Sequence, residues 1–304
     1  MFKRYRECRL YDIEGTKWLS FSPFIPLLGY RNPVITKTFK NTLSLGNWDE
    51  KDPYLTHLKE WFRRRIEGYE ICFYPSKSEA ATLLFRAWAK IQGKSDCLVK
   101  LHLPLYPDDC SNLVWEDSLP AYNIDINQHF EAMKDRQYKS KLFLVDESLS
   151  FLRSNSLFVS LQYGFQPDLI WLDFYPSTGF PVVAVFKKNK IDFEIPSSNN
   201  PFFTPFLSSI LKSLYEIQEM KQAEKTKKYF IYLADKYNIM IEWLGFLFRF
   251  ERAIPKLSEY KIGEKYKLLW NESNNGWKSI TNGHDKGSID RLVWSYHSIN
   301  KENF

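Results

Sequence analysis

A short polar segment directly after an apolar strand is the first place where this sequence could do chemistry. Residues 71–74 read as a buried strand, and Ser76-Lys77-Ser78-Glu79 follows them. Ser76 and Glu79 have the S-x-x-E spacing of a capping box, which predicts that a helix begins here. Free N–H groups and the helix dipole favour anions, so the segment predicts a phosphate or carboxylate site. A capped helix that only supports a core has the same pattern.

Acidic residues follow two further apolar runs. Asp146 and Glu147 come directly after residues 142–145, and Asp173 follows residues 169–172. Carboxylates at strand ends can bind a divalent cation or move protons, although a loop carboxylate is also commonplace. The five histidines and four cysteines have no metal-ligand spacing, and no nucleotide-binding or nucleophile-elbow motif occurs. We therefore expect no metal site.

The run that contains both acids resembles the core of class-III pyridoxal-phosphate (PLP) aminotransferases, the family that includes glutamate-1-semialdehyde aminomutase. It reads LFLVDES and then YGFQPDLIWLDFYPSTGFPVVAVF. The resemblance places Asp146 on the aspartate that pairs with the pyridine nitrogen of the cofactor. It also places residues 179–181 on the Gly-Phe-Pro that follows the catalytic lysine. That lysine should stand five residues before this motif, and Phe174 stands there.

Other candidate cofactor residues come from the same resemblance. The segment SKSEA is similar to the family's phosphate-binding motif SGSEA, so Ser76, Lys77 and Ser78 are expected near the phosphate. Lys77 replaces a glycine, and its side chain could obstruct the backbone's approach to phosphate or partly compensate by its charge. Tyr106 matches the aromatic residue that stacks on the pyridine ring. With Asp146, these residues make up the expected cofactor site.

Several features of the family's catalytic site are absent. Phe174 can neither form a Schiff base nor move a proton at the substrate's α-carbon, and the lysines within 187–190 lie beyond the next strand. Leu149 replaces a glutamine near the ring hydroxyl, and Pro196 replaces a threonine that reaches the neighbouring subunit's phosphate. One βα unit is also predicted to be missing, because the helix expected within 123–141 runs directly into LFLV.

The elements around these residues predict an α/β fold. Apolar strands alternate with helical patterns over residues 50–200, which indicates a mainly parallel sheet. Periodicity predicts helices over 53–68 and 229–237. The resemblance implies a fold-type-I large domain plus a small α+β domain built from both chain ends. The expected boundaries are 1–45 for the N-terminal part of the small domain, 46–205 for the large domain, and 206–304 for a linking helix and the C-terminal small domain.

Composition agrees with a protein that has a sizeable core and no disulfides. The chain has 304 residues, of which 44% are hydrophobic and 17% aromatic. Its four cysteines have irregular gaps, and no signal peptide or membrane span is evident, so we expect a cytoplasmic protein. The net charge of +6 permits an acidic partner, but the basic runs read as solvated helix faces. Neither a membrane nor a nucleic acid is expected as a partner.

Two function classes follow from these observations. The first is a degenerate aminotransferase that acts as a ligand-binding, scaffold or partner module without transaminase turnover. The alternative is an enzyme that acts on an amino or keto acid with noncovalently held PLP or pyridoxamine phosphate. PLP binding is expected to be weak or absent. We expect a homodimer, or a heteromer with an intact paralogue, and the phenylalanines at 202, 203 and 206 form either an interface patch or core.

Overall fold

The computed structural model of the chain describes residues 2–44, 48–49, 52–91, 113–117, 126–139, 142–154, 156–192, 194–198, 200–251, 265–269 and 276–302. Its strands are β1 (Phe2–Arg6), β2 (Arg9–Asp12), β3 (Lys17–Ser20), β4 (Trp48–Asp49), β5 (Tyr69–Tyr74), β6 (Leu113–Asp117), β7 (Leu142–Asp146), β8 (Leu169–Asp173), β9 (Val183–Lys188), β10 (Phe202–Phe203), β11 (Ile241–Leu244), β12 (Leu247–Phe250), β13 (Leu268–Leu269) and β14 (Lys278–Ser279). Its helices are α1 (Pro33–Leu43), α2 (Pro53–Arg63), α3 (Lys77–Ile91), α4 (Ile126–Lys139), α5 (Val159–Gln162), α6 (Tyr175–Thr178), α7 (Thr204–Ile217), α8 (Lys221–Lys236) and α9 (Lys286–Glu302). None of the described helices is both long and apolar enough to cross a membrane.

The central sheet has five strands in the order β5-β9-β8-β7-β6. β6, β7 and β8 run parallel, whereas β9 pairs antiparallel with both β8 and β5. All strands except β9 therefore point the same way, which confirms the predicted mainly parallel sheet. Their carboxyl ends meet at one edge of the sheet, called the carboxyl edge below. In open α/β sheets, ligands bind in the crevice outside this edge.

Strand β6 corrects one expectation. The βα unit predicted to be missing has its strand, because Leu113–Asp117 pairs along its full length with Leu142–Asp146. Helix α4 connects the two strands, and its bounds fall within the predicted 123–141. The strand is hard to see in the sequence because its five residues end in two acids and no long apolar run marks it.

Alternating residues of the sheet fill separate hydrophobic clusters, as the two-residue period of a strand requires. On one face, Ile170 and Leu172 pack with residues of α2 and α7. On the opposite face, Leu169 and Trp171 pack with residues of α3. Continuing this alternation places residue 173, the last of β8, on the side of α3 and the next residue, 174, on the side of α2 and α7.

Residues from both ends of the chain share another core. Leu19 and Phe21 pack there with Phe248 of β12 and with α9. His284 is fully buried in this region, and its Nε2 donates to the Ser20 carbonyl oxygen over 2.9 Å. Burial lowers the pKa of His284 to about 4, so the ring is neutral. The fold class with a small α+β part from both chain ends is confirmed, whereas the exact domain boundaries stay a prediction.

A buried arginine joins the chain-end core to the turn after β8. The Arg153 guanidinium donates to the carbonyl oxygens of Ile25 and Pro176, each over 2.7 Å, and to the Ser279 hydroxyl over 3.2 Å. Burial lowers the pKa of Arg153 to about 9. Gly245 has a φ of +62°, and a Cβ there would lie 2.0 Å from the Arg153 carbonyl oxygen, so this contact requires glycine.

Two helices differ in extent from the sequence prediction. α2 ends at Arg63 rather than continuing to residue 68. The chain turns through Gly68, which has a φ of +80°, in order to enter β5. α8 begins at Lys221, so the lysine-rich segment before residue 229 belongs to this helix. Periodicity missed that part because its exposed lysines outnumber the apolar residues that mark a buried face.

Candidate functional site

Three adjacent strands end in aspartates at the carboxyl edge. They are Asp117 of β6, Asp146 of β7 and Asp173 of β8. Asp117 lies opposite Asp146 in the register, and Asp146 lies opposite Trp171, so Asp173 stands two residues further along. Because parallel strands bring these ends together, the three positions share one edge of the sheet. This is the edge at which the sequence predicts a ligand.

The N-terminus of α3 lies at the same edge, directly after β5. The Ser76 hydroxyl oxygen accepts a hydrogen bond from the Glu79 N–H over 3.2 Å, which is one half of the predicted capping box. The carboxylate of Glu79 accepts from the Ser198 hydroxyl. Lys77 and Ser78 are exposed in the first turn. The predicted helix start is thus confirmed, and its N-terminal dipole favours an anion here.

The side chain of Lys77 reaches across the sheet to the end of β8. Its Nζ lies 2.6 Å from Oδ2 of Asp173. β9 lies between β5 and β8, so Lys77, which follows β5, contacts the end of a strand that is not the neighbour of β5. Lys77 remains 46% exposed, whereas Asp173 is 1% exposed, so the ammonium is the member of the pair that solvent can reach.

Asp173 is fixed by backbone contacts as well. Its Oδ1 accepts the Tyr175 N–H over 3.0 Å, and its own N–H donates to the Ser148 hydroxyl over 2.8 Å. Burial raises the pKa of this carboxyl group above its usual range, and the neighbouring Lys77 ammonium partly opposes that rise. A carboxyl group with a raised pKa beside an ammonium can exchange a proton with it.

Asp146 and Glu147 differ although they are neighbours in sequence. Asp146 is half-buried, and its Oδ1 accepts the Ser148 N–H over 2.9 Å. Glu147 is fully buried and accepts the N–H groups of Val159 and Ser160, over 3.1 and 2.7 Å. Glu147 therefore accepts the free N–H groups at the start of α5. Asp146 is the carboxylate of β7 that lies at the carboxyl edge.

Phe174 points away from this edge. Its ring stacks on Phe73 with centroids 6.2 Å apart, and it meets the rings of Phe62 and Phe151 edge-on at 5.9 and 5.8 Å. The side chain is fully buried among residues of α2 and α7. Position 174 is therefore part of the core on the face opposite α3.

The remaining sequence candidates are placed as follows. Tyr106 lies outside the described residues. Leu149 packs beside the cluster that contains Phe143 and Val145. The Pro196 carbonyl oxygen accepts the Tyr74 hydroxyl over 2.8 Å. Lys187 and Lys188 are the last residues of β9 rather than beyond it, and Lys190 follows them. Because β9 starts at the carboxyl edge and runs away from it, all three lie far from that edge.

The phenylalanines that follow residue 201 pack within the chain. Phe202 is 5% exposed. Phe206 stacks on Phe39 at 6.2 Å and contacts the ring of Phe180 at 5.6 Å. Phe203 meets Phe206 at 4.8 Å. Phe202 is buried, whereas Phe203 and Phe206 are half-buried, so core packing accounts for part of their surface and a role in an interface stays a prediction.

Comparison with solved structures gives the fold. An ornithine aminotransferase of Plasmodium yoelii superposes with a TM-score of 0.67 at 15% identity, over 99% of this chain and 93% of that one. A transaminase with PLP bound superposes with a TM-score of 0.70 at 14% identity, over 99% and 90%. No protein-family model and no curated protein sequence matches the chain. The chain has the fold of PLP-dependent transferases. At these identities, the likeness shows the fold alone.

In residue type, the groups present at the carboxyl edge fit a phosphorylated ring compound. The N-terminus of α3 and the half-exposed Lys77 suit a phosphate, and the half-buried Asp146 suits a protonated ring nitrogen. Position 174 offers no amine to an aldehyde. Sequence reasoning missed that Lys77 and Asp173 form a pair. The alternation along β8 could have shown only that residues 173 and 174 face opposite sides of the sheet, because the pairing itself depends on strand order.

Proposed function

We propose that this protein is a ligand-binding module with the aminotransferase fold, which binds a phosphorylated pyridine of the PLP class weakly and without transaminase turnover. The observation that carries the proposal is the pair formed by Lys77 and Asp173. It supplies an ammonium at the carboxyl edge, while the side chain of Phe174 lies in the core. A site that has anion-binding groups but no lysine at position 174 supports binding better than turnover.

Each residue has a role in this proposal. The N–H groups at the start of α3 and the Lys77 ammonium would bind the phosphate. The Asp146 carboxylate would pair with the protonated ring nitrogen, and such a charge-assisted hydrogen bond contributes about 1.5–3 kcal/mol. When bound, PLP supplies an electron sink for chemistry at an amino-bearing carbon. Phe174 has no group that could move the proton which this chemistry requires.

Calorimetric titration tests the binding site. Pyridoxine 5′-phosphate, which lacks the aldehyde, should bind, whereas pyridoxal, which lacks the phosphate, should not. Asp146→Asn and Lys77→Met should each weaken binding about tenfold, which corresponds to the loss of about 1.4 kcal/mol. Lys190→Met at the opposite edge of the sheet is the matched control and should bind like the wild type. Equal binding by all four proteins would mean that the ligand binds elsewhere.

A second measurement tests whether the bond is covalent. PLP should bind about as tightly as pyridoxine 5′-phosphate, because no lysine is expected to form a Schiff base with the aldehyde. After borohydride reduction in the presence of PLP, peptide mass spectrometry should find no stoichiometric pyridoxyl group on any single lysine. A stoichiometric group on Lys77 would contradict noncovalent binding and would identify Lys77 as the amine.

The alternative function is an enzyme that acts on an amino or keto acid with noncovalently held PLP or pyridoxamine phosphate. It is favoured by the contact between Lys77 and Asp173, because such a pair can pass a proton. Incubation with pyridoxamine phosphate and a panel of keto acids separates the two functions. Conversion to PLP, followed by absorbance and abolished by Asp173→Asn, would support the enzyme. The absence of conversion in wild-type protein would support the binding module.

The assembly proposed for this module is a homodimer, or a heteromer with an intact paralogue. Its support is the sequence resemblance to a family that builds its pocket across a two-fold interface. Light scattering on the purified protein should give about twice the chain mass. A monodisperse monomer at micromolar concentration would rule out the homodimer and leave the paralogue as the remaining partner.

A further inference from the structure

Strand β5 forms one edge of the described central sheet, because it stands first in the order β5-β9-β8-β7-β6. A cavity of about 600 Å³ lies beside it and is lined by the four consecutive residues 70–73. Successive residues of a strand point to opposite faces of the sheet, so a cavity that touches four in a row lies along the strand's edge rather than on one face. We call this cavity the edge groove; its other borders are the α2 residues Leu55, Lys59 and Arg63 and the segment 194–202.

The backbone of β5 has hydrogen-bonding groups that face away from β9. In an antiparallel pair, every second residue turns its N–H and C=O away from the partner strand. Within the part of the chain that the structure describes, no backbone group of residues 70–73 bonds outside the pairing with β9. Such an edge can pair with an added extended chain. We propose that an extended acidic segment of a partner protein binds in the edge groove and adds to β5 as a further strand.

The exposed lining of the groove is polar, which suits recognition of a peptide main chain. The apolar residues Ile71 and Phe73 are 9% and 4% exposed, so they offer little surface to a ligand. Ser197 and Asn200 of the segment 194–202 are exposed and have side chains that can bond to peptide groups. In strand addition the main-chain hydrogen bonds supply the affinity, so a polar groove along an unpaired edge is what such a ligand requires.

Helix α2 supplies the preference for acidic residues. Leu55, Lys59 and Arg63 follow one another at intervals of four residues, so they form one stripe along the helix. Lys59 is half-buried and Arg63 is exposed, and neither has an ion-pair partner among the described residues. Burial raises the pKa of the Cys72 thiol, and the Lys59 ammonium partly opposes that rise, so this cation lies near the middle of β5.

The spacing of these two cations matches an extended chain. Four residues of a helix advance about 6 Å, and two residues of a strand advance about 6.7 Å. A peptide with an acid at every second position can therefore place successive carboxylates near Lys59 and Arg63. The lining also contains two acids, of which Glu70 pairs with Lys187 over 3.0 Å and Glu194 is exposed. We therefore expect a peptide with uncharged residues between its acids to bind better than one that is acidic throughout.

The groove favours a single chain over a second copy of this protein. Because α2 and the segment 194–202 also border the groove, β5 of a second copy would bring its own α2 and its own segment towards the same space. A single extended peptide has no such flanking elements. It needs only its own main chain and a few carboxylates to match what the groove provides.

Fluorescence anisotropy with the intact protein tests the charge preference. The probe is the labelled peptide Thr-Glu-Val-Glu-Val-Thr, blocked at both ends, because valine and threonine favour extended chains and six residues match the length of β5. It should bind saturably. Thr-Lys-Val-Lys-Val-Thr should bind at least about tenfold more weakly, because its cations meet Lys59 and Arg63. Equal binding by the lysine peptide would overturn the acidic ligand.

Backbone methylation separates main-chain pairing from charge attraction. Alternate N–H groups of an added strand face β5. Methylation of the amide nitrogens of the two glutamates therefore removes donors on one edge of the probe, and methylation of those of the two valines removes donors on the other. One of these isomers should lose binding, and the other should bind like the parent peptide. Equal affinity of the two isomers would overturn strand addition.

Variants locate the binding groups. The double change Lys59→Met with Arg63→Met should weaken binding of the glutamate peptide about tenfold, as expected for the loss of two partly exposed ion pairs. Arg64→Met is the control on the same helix, because Arg64 is exposed and pairs with Glu60 over 3.0 Å. Lys77→Met should also bind like the wild type. An equal loss in Arg64→Met or in Lys77→Met would overturn the assignment to the edge groove.

Cys72 reports occupancy directly, because it lines the groove as a free, half-buried thiol. The glutamate peptide at about ten times its Kd should slow alkylation of Cys72 by iodoacetamide about tenfold at mildly alkaline pH, since only the unoccupied fraction reacts. Cys8 is fully buried in the chain-end core and should stay unmodified, which excludes general unfolding. Alkylation that saturating peptide leaves unchanged would overturn the site. So would ligand-free Cys72 that reacts only after dilution to a monomer, as judged by light scattering, because a second copy would then cover the groove.

Discussion

Glu147 and Asp173 are two buried carboxyl groups at the ends of neighbouring strands, and they differ in the groups that stabilise them. Glu147 accepts two backbone N–H groups and the Ser150 hydroxyl. Asp173 accepts one backbone N–H, and its second oxygen contacts Lys77, whose side chain solvent reaches. Burial raises the pKa of both groups.

The difference identifies which group a ligand can influence. The partners of Glu147 are held by the fold, so its environment stays the same whether or not an anion is present. Lys77 can instead turn towards a bound anion, which would weaken its contact with Asp173. We infer that Glu147 serves stability, whereas Asp173 adjusts the charge that Lys77 presents at the carboxyl edge.

The largest effect is expected from Phe174→Lys, which tests whether position 174 faces the core. A lysine there would replace a ring that contacts Phe62, Phe73 and Phe151. Loss of a buried aromatic residue and burial of an ammonium together should lower the free energy of unfolding by about 4 kcal/mol or more. The variant should not regain transamination. Urea unfolding followed by tryptophan fluorescence measures the change.

Phe174→Leu is the matched control for that variant. It keeps the site apolar and should cost about 1 kcal/mol. A Phe174→Lys protein that is as stable as Phe174→Leu would show that the lysine escapes to the carboxyl edge. Turnover of an amino donor by this variant would show the same and would also mean that the rest of a transaminase site survives.

The next effect concerns Glu147→Ala. This change leaves the buried N–H groups of Val159 and Ser160 without their acceptor, which should lower the free energy of unfolding by about 3 kcal/mol. Glu147→Gln keeps one acceptor oxygen and should lose less. Glu131→Ala on the exposed side of α4 is the control and should be nearly neutral. A loss in Glu147→Ala no larger than in Glu131→Ala would mean that Glu147 is not the structural member of the comparison.

Much of the fold could be predicted from local patterns. The apolar runs of β7, β8 and β9 mark buried strands, and the S-x-x-E spacing marks the start of α3. Strand β6 could not be found in this way, because it is short and ends in acids. Its place is fixed by pairing with β7, which is a contact between distant parts of the sequence.

The candidate site was predictable only in part. Ser76 and Asp146 follow from strand ends and from the resemblance. The direction of Phe174 could have been read from the alternation of Ile170, Leu172 and residue 174. The contact between Lys77 and Asp173 could not, because it depends on β9 lying between β5 and β8. Strand order is a property of the whole sheet and leaves no local trace near either residue.

A smaller effect is expected from Asp173→Asn, and it acts on binding rather than on stability. Removing the carboxylate frees the Lys77 ammonium and removes a negative charge beside an anion site. Pyridoxine 5′-phosphate should therefore bind about five- to tenfold more tightly, a gain of about 1 kcal/mol. Glu147→Gln should leave this affinity unchanged. Calorimetry measures both, and weaker binding by Asp173→Asn would indicate that Asp173 contacts the ligand directly.

The smallest effect is a change in pH dependence caused by Lys77→Met. The Lys77 ammonium lowers the pKa of Asp173, so without it burial is opposed less, by the Tyr175 N–H alone among the groups described, and the pKa rises further. The folded state then keeps this proton over a wider pH range, whereas the unfolded state releases it near its ordinary pKa. Stability is therefore lost as the pH rises from the ordinary pKa through the raised one, and the loss is larger in the variant.

Urea unfolding at pH 5 and pH 8 measures this difference. The fall in unfolding free energy between the two pH values should exceed that of the wild type by about 1 kcal/mol, in keeping with a charged hydrogen bond. The unfolding free energy of Lys190→Met should fall between the two pH values by as much as that of the wild type. Adding Asp173→Asn to Lys77→Met removes the titrating group. If the two residues are in direct contact, the additional loss of unfolding free energy seen in Lys77→Met should then disappear, as in a double-mutant cycle. An extra fall that persists in the double variant would assign it to another acid, and the contrast between Glu147 and Asp173 would then not depend on Lys77.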